Sequence, residues 1–366
     1  MRNSFFFVNL QHVIAKHMDS YQYKITVGYP VYNVEKYVYK SLKSILDQDF
    51  IGYEVILVDD CSNDNSINIV LDLLASHPNG NIVNIIKHKE NAGLSVARNT
   101  AIDNASGKYI YFVDSDDFIP AYALSVLYKT AEEYNTDVVI GSNYQIKDGK
   151  TRKNILPHME FLKKDDFKSY YYSNMNDFIP DTSWNILFSM SFLNSYNLRF
   201  PRIRFHEDIA FGALYYPYIQ RIAIISDLTY YYLIRYDSLM NLQHRELIGT
   251  NELSDAIELC EIIKSACLKW RNSPYYGGIC AKTLKICFFQ IVGILKHRDK
   301  IPEDIDNRII KKMIKHLDSI WAIPHLKQLR LYNLFFYLLG VFPKNLTVYL
   351  IHKICKKKGY FKPYYQ

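Results

Sequence analysis

The chain has 366 residues, 49% hydrophobic and 22% charged, enough to bury a full core as two domains or one enlarged domain with an appendage. This composition excludes a small stapled scaffold and a long disordered or fibrous segment. The formal charge of +7 belongs to one end: Ser319 to Gln366 hold eight Lys or Arg and no Asp or Glu, so the preceding chain sums to 7 − 8 = −1, which argues against a nucleic-acid-binding domain and for an anionic surface, such as phospholipid, at the C-terminal end.

Along the chain, residues 1–22 form an N-terminal extension whose short aromatic run is broken by Asn9, Gln11 and His12 and lacks a signal-peptide pattern. Ile25 to Tyr29 and Glu54 to Val58 are short apolar runs expected as buried strands. Between them Val34, Val38, Leu42, Ile45 and Leu46 recur at helical spacing, with Asn33 placed as the cap. Ser66 to Ala75 reads as a helix, Ile82 to Ile86 as a strand, Leu94 to Ala105 as a helix and Tyr109 to Val113 as a strand. Leu124 to Tyr134 follows as a helix and Val138 to Ile140 as a strand, while Asn143 to Lys164 suggests a hairpin excursion. Trp184 to Leu193 is an apolar helix candidate, and Ile222 to Leu233 returns to β structure. Beyond Leu242 the pattern turns helical, over Leu247 to Trp270, Gly278 to Leu295 and Ile305 to Ile320. Alternating strands and helices imply an α/β fold with a mostly parallel central sheet. Six Cys without a CxxC pair read as reduced structural thiols, a cytosolic default, and no apolar stretch approaches the length of a spanning helix.

The chemistry gathers at predicted strand ends. Asp114-Ser115-Asp116 follows an apolar strand, and two carboxylates at a sharp turn can hold a hard divalent ion while phosphate oxygens complete its shell. Asp59-Asp60 ends another strand, and ligands in such sheets collect beyond the carboxyl ends. Glu207-Asp208 opens an apolar helix, where acidic residues are favourable whatever their function.

These pieces together resemble the large inverting glycosyltransferase family that includes cellulose, chitin and hyaluronan synthases and many bacterial polysaccharide and lipopolysaccharide transferases. The resemblance rests on Pro30-Val-Tyr-Asn33-Val-Glu-Lys-Tyr37, Val58-Asp-Asp-Cys-Ser62-Asn-Asp64, Asn91-Ala-Gly-Leu-Ser-Val-Ala-Arg-Asn99, Gly107-Lys-Tyr-Ile-Tyr-Phe-Val-Asp114-Ser-Asp-Asp117 and Glu207-Asp208. It is tight over residues 24 to 120 and looser to about Ser238. It implies a GT-A type nucleotide-diphospho-sugar transferase fold: a catalytic domain over 23–240, with a nucleotide-binding part at 23–120 and an acceptor-binding part at 121–240. A helical C-terminal region with a basic aromatic tail follows over 241–366.

By that resemblance Pro30 and Tyr32 line the nucleoside pocket, with Tyr32 on the base, and Asp60 reads the base edge while Asp59 caps a strand end. Arg98 neutralises diphosphate or holds the first metal-loop Asp. Asp114 and Ser115 belong to the nucleotide site, Asp114 and Asp116 to an Mg2+ or Mn2+ site, and Asp117 fixes the loop. Asp208 is the expected base, with Glu207 as the alternative or as an acceptor-binding partner. Trp184 either packs on an acceptor sugar or anchors the core. Cys61 stands where the family usually has Gly, and Asn185 lies where relatives often carry a nearby Lys.

The implied activity is inverting transfer of a sugar, from a UDP-sugar by resemblance, to a glycan or lipid-linked oligosaccharide in surface polysaccharide synthesis. A sugar-phosphate nucleotidyltransferase is the competing enzyme class, disfavoured by the lack of an early GxGxR-type loop; a non-catalytic sugar-binding relative is the other alternative. Leu331 to Phe342 is apolar but too short to span a bilayer, and Lys353, Lys356, Lys357, Lys358 and Lys362 adjoin it. The expectation is a cytoplasmic protein peripheral on the inner face of the cell membrane, with core packing or a homodimer as the competing use of the tail.

Overall fold

The structure is a computed structural model and describes residues 21–175, 179–235, 250–300 and 305–360. The N-terminal extension to residue 20, the 240/241 boundary, the first residues of the helix expected from Leu247, and Lys362 lie outside the described residues.

Four parallel strands form one half of the sheet: β1 (Tyr23–Val31), β2 (Tyr53–Asp59), β3 (Val83–Lys87) and β4 (Gly107–Phe112), in spatial order β3-β2-β1-β4. Their crossovers are α1 (Val38–Leu46), α2 (Ser66–Ser76) and α3 (Leu94–Asp103). The period of two along the strands decides which face each helix covers. Val55 and Leu57 join Val38, Leu42 and Val70 on one face, whereas Ile56, Val58, Ile110 and Phe112 meet Ala97 and Ala101 of α3 on the other. Gly28 is required in β1 because a Cβ there would lie 2.7 Å from the Phe112 ring.

The other half is mixed. After α4 (Ala123–Tyr134) come β5 (Val138–Lys147), its hairpin partner β6 (Lys150–Asn154), β7 (Met159–Phe161) and α5 (Asp166–Ser173). Next are β8 (Ile186–Ser189), α6 (Met190–Ser195), α7 (Glu207–Tyr215) and β9 (Ile222–Leu233). The sheet continues past β4 as β8-β5-β9-β7, with β8 antiparallel to both neighbours. The expected excursion over 143–164 is therefore the β5–β6 hairpin plus β7.

Three local expectations are corrected. Trp184 to Leu193 is not one helix: Ile186-Leu-Phe-Ser189 is a fully buried strand, and the helix starts only at Met190, where Ser189 Oγ accepts the Phe192 N–H. Asn33 does not cap α1. It adopts φ 51° and instead accepts the Asn63 N–H at 2.9 Å, stapling the β1–α1 loop to the β2–α2 loop. The helix expected over Ile305 to Ile320 is shorter, running from Asn307 to Ile314 with Asp306 as its cap.

The C-terminal helices are α8 (Thr250–Leu268), α9 (Tyr276–Lys296), α10 (Asn307–Ile314), α11 (Arg330–Val341) and α12 (Lys344–Lys358). α9 is the hub, packed against α8, α10, α11, α12 and α5. It is long and apolar enough to cross a membrane, but most of its length is buried inside the protein, as a core helix would be. At Gly278 a Cβ would lie 1.9 Å from the Tyr172 carbonyl oxygen, so only glycine lets α9 approach α5 this closely. The α3 face of the sheet and these helices share one continuous apolar core.

Candidate active site

Strand connections diverge on either side of β1, toward β2 in one direction and β4 in the other, and the carboxyl ends there define a crevice. Tyr32, just past β1, is 41% exposed, whereas Pro30 is buried within the strand opposite Val58. Tyr32 is thus free to stack on a flat ligand, and Pro30 contributes backbone rigidity beneath it. The crevice wall is cross-linked: Glu35 N–H bonds Asp64 Oδ2 at 3.0 Å, and Asn65 N–H bonds Glu35 Oε2 at 3.0 Å.

The paired aspartates at the end of β2 have different jobs. Asp59 is buried, and its Oδ1 accepts the Ser62 N–H at 2.8 Å, a strand-end cap. Asp60 is 3% exposed; Oδ1 accepts the Ala92 N–H at 2.9 Å and meets His88 Nδ1 at 2.7 Å, while Oδ2 accepts the Gly93 N–H at 2.8 Å. Asp60 therefore anchors the Asn91–Gly93 turn, and any contact with a base edge is left to the remaining lone pair of Oδ2. Cys61 sits at φ 64°, the left-handed region that favours the family's glycine.

The densest electrostatics surround Arg98 of α3, which is 1% exposed. Its Nη2 donates to Asp114 Oδ1 at 3.0 Å; its Nη1 donates to Glu207 Oε1 at 3.1 Å and Asp208 Oδ1 at 2.6 Å. Burial works against the guanidinium charge, yet Asp208, Asp114 and Glu207 hold it protonated. Of the two roles expected for Arg98, the geometry matches holding the first Asp of the loop. Asp114 is pushed up to about 6, by burial first and then by Asp116 and Asp208 acting against Arg98. Glu207 is raised as well, by burial and by Asp208 beside it. Asp208 is the more open of the pair, and its Oδ2 takes no hydrogen bond among the described residues.

The Asp114–Asp117 loop is fixed from β9. Tyr230 Oη accepts the Asp114 N–H at 3.1 Å, and Asp117 Oδ1 accepts the Leu233 N–H at 2.7 Å, so Asp117 holds the loop as expected. Ser115 is buried within it. Asp116 pairs with Arg235, whose guanidinium lies 4.6 Å from the Tyr37 ring centre. Arg235 was not anticipated from the sequence. Its signal was available, since it lies two residues past a predicted strand, at the end where such sheets place ligands.

Asp114, Asp116, Glu207 and Asp208 set four carboxylates against Arg98 and Arg235, a net of −4 + 2 = −2 when all are ionised. Hard carboxylate oxygens with that surplus suit a divalent Mg2+ or Mn2+ ion. A second group of potential ligands, Cys280, His316 and Asp318, lies buried among the C-terminal helices with its ligand atoms within 4.8 Å of one another. Its sulfur and nitrogen donors suit softer ions. Moreover, His316 Nδ1 accepts the Asp318 N–H at 3.0 Å, so Nε2 carries the proton and donates to Asn333 Oδ1 at 3.1 Å. Neither ring nitrogen has a lone pair to offer, and the group acts as a closed hydrogen-bond network.

In the second half of the sheet, Trp184 stacks on Tyr230 and Tyr232, with centroids 4.7 and 5.0 Å apart, and borders a cavity of about 330 Å³ with Ile140, Asn143, Leu156 and Pro180. It is both packed and available to a ligand. Asn185 is structural: at φ 59° it donates to the Gly141 and Ser142 carbonyls and accepts from Tyr111 and Thr229, closing the β5–β9 irregularity.

Comparison with known proteins agrees with this architecture. Residues 26–196 match Glycosyl transferase family 2. Glycosyltransferase GlyA of Streptococcus pneumoniae is 35% identical over 223 residues, 59% of this chain and 31% of GlyA. The uncharacterized glycosyltransferase EpsJ of Bacillus subtilis is 28% identical over 302 residues, 81% of this chain and 83% of EpsJ. The chain thus spans under a third of GlyA but most of EpsJ. The crystal structure of S. aureus TarS 1-349 in complex with UDP superposes with a TM-score of 0.63 at 20% identity, covering 94% of this chain and 93% of that one, a likeness of fold. With its motifs at the strand ends of this fold, the segment 26–196 of the chain belongs to glycosyl transferase family 2.

Proposed function

We propose that this glycosyltransferase moves a sugar from a UDP-sugar, with inversion, onto a hydroxyl of a glycan or lipid-linked oligosaccharide in surface polysaccharide synthesis. Residues 23–240 act as the catalytic unit and 241–366 as its helical support. The observation that carries the reading is Arg98, which draws Asp114 of the β4 loop and Glu207-Asp208 of α7 into one cluster at the strand ends. A donor lying across the crevice, with its base on Tyr32, would bring its anomeric carbon toward that cluster. TarS, of the same fold, has been crystallised with UDP and with UDP-GlcNAc, which supports a uridine carrier here.

Asp208 holds Arg98 through one oxygen and presents the other, the arrangement needed to take the acceptor proton as the hydroxyl attacks opposite the leaving diphosphate. Glu207, more enclosed and raised in pKa, suits orienting the acceptor. Mg2+ or Mn2+ held by Asp116 and Asp114 would supply positive charge for the departing diphosphate.

The test is a panel of nucleotide sugars with wild type and Asp208→Asn. Wild type should release nucleoside diphosphate, and the variant should keep donor affinity while transfer falls roughly a hundredfold or more. Pyrophosphate release by wild type, or normal turnover at saturation in a variant with weakened donor binding, would overturn the assignment.

A further inference from the structure

Among the described residues, eight of the seventeen large apolar side chains that are exposed fall between Trp321 and Tyr349. They share surfaces rather than scatter. α11 buries Asn333, Phe336 and Leu339, and on its opposite face Leu331, Phe335 and Leu338 follow one another at spacings of four and three. Leu331 is 78% exposed, and Trp321, in the turn before α11, is 82% exposed. α12 repeats the pattern: Thr347, Ile351 and Cys355 face inward, while Leu346 and Tyr349 are exposed near its start and Lys353, Lys356 and Lys357 near its end. A solvated helix would place polar side chains on such a face, and a contiguous apolar patch marks an interaction surface.

Charge identifies the occupant. From Ser319 to Gln366 there are eight basic residues and no acidic one. Lys344 meets Asp306 of another element at 3.4 Å, whereas Lys353, Lys356 and Lys357 make no ion pair among the described residues. A second copy docked on this face would set one basic tail against another, and like charges disfavour that pairing. An anionic bilayer answers both the apolar stripe and the lysines beside it. α11 has 12 residues, about 18 Å of helix, too short to span a bilayer and suited to lying in its interface.

We propose that the outer face of α11, with Trp321 and the start of α12, inserts at the headgroup boundary of an anionic membrane while the lysines at the end of α12 contact lipid phosphates. This gives the peripheral, inner-face placement a defined surface and does not depend on the identity of the donor sugar. The experiment is flotation of the full chain with vesicles of phosphatidylcholine alone or mixed with phosphatidylglycerol, at low and high salt. The wild type should float with the anionic vesicles and be released by salt. Lys353→Glu/Lys356→Glu/Lys357→Glu should weaken binding at least tenfold, since one lysine near an anionic surface contributes roughly fivefold in partitioning. Leu331→Ser/Phe335→Ser/Leu338→Ser removes the outer apolar face of α11, with Phe335 also giving up its edge contact with Phe288, and should fold, as circular dichroism would verify, yet stay unbound. Wild type that fails to float at low salt, or the serine variant floating like wild type, would overturn the proposal. So would a wild-type dimer by light scattering that binds no vesicles and that the serine variant converts to monomer, which would assign the face to a second copy.

Discussion

Arg98 shows how one residue can join two distant stretches of chain: it sits on α3 yet holds carboxylates sixteen, 109 and 110 positions away. Taking a guanidinium out of water is costly, and the three carboxylates, with the Phe200 ring centre 5.3 Å away, make the burial tolerable. Lysine keeps the charge but lacks the fork that reaches Asp114 and the α7 pair together. Arg98→Lys should therefore fold, lose about 2 kcal/mol or more in urea denaturation, and transfer sugar slowly because the α7 carboxylates are no longer held. Arg199→Ala is the matched control, since its partner Asp103 is exposed and such pairs contribute under about 1 kcal/mol. Equal stability of Arg98→Lys and wild type would show that the network is not what holds the site. The motif around Arg98 was readable in the sequence, but its burial was not, because burial depends on α7 arriving from more than a hundred residues away. The Asp59-Asp60 pair repeats the lesson: carboxylates at a strand end are visible, but which backbone N–H groups they accept is decided by the loops that close over them.

Elements were most legible in β1 through β4 and their crossovers, where amphipathic helices with a solvated face alternate with buried strands that end at polar loops. They were least legible where a short buried run passes straight into the next element. Ile186-Leu-Phe-Ser189 lies between β4 and β5, apolar on both faces, and a short continuous run of that kind carries neither period. α9 is buried enough to enclose a lysine, which gives it a testable pH signature. Lys282 is 8% exposed, and its pKa falls from 10.5 to about 7, by burial first and then by Lys285. The unfolded chain keeps that proton to the ordinary lysine pKa, so between these values it binds more protons than the fold, and stability must rise with pH across the window. Below pH 7 the cost of charging the buried ammonium is fully present, and the Tyr171 ring, 3.6 Å from it, offsets part of that cost. Lys282→Met removes this titration and should flatten the stability between pH 7 and 10, measured by urea denaturation at both ends. A variant whose stability rises with pH as steeply as that of wild type would mean that Lys282 keeps an ordinary lysine pKa in the fold.

At the scale of the molecule, the change from alternating strands and helices to helices alone is written in the sequence after Leu242, but what the helices do for the site is not. That depends on contacts between residues some fifty positions apart. α8 packs directly on α7, and Asp255 of α8 reaches the loop that leads into Glu207-Asp208: its Oδ2 accepts the Arg204 N–H at 3.1 Å and the Phe205 N–H at 3.0 Å. The next residue, His206, adopts φ 65°, and Glu207 opens α7 immediately after it. The C-terminal helices thereby set the backbone path on which Asp208 is presented, in addition to packing on α5 and α7. Small displacements of a catalytic group are costly in rate. Asp255→Ala should lower kcat roughly tenfold while leaving the donor KM nearly unchanged, because Tyr32, Asp60 and the Asp114–Asp117 loop are held by other contacts. Asp255→Asn keeps an acceptor oxygen and should recover most of the lost rate, which a merely destabilising change would not do. The measurement is steady-state transfer for the three proteins at saturating acceptor, with thermal unfolding alongside. A donor KM that rises in step with any loss of kcat, or no loss at all, would mean that α8 supports the fold without positioning Asp208.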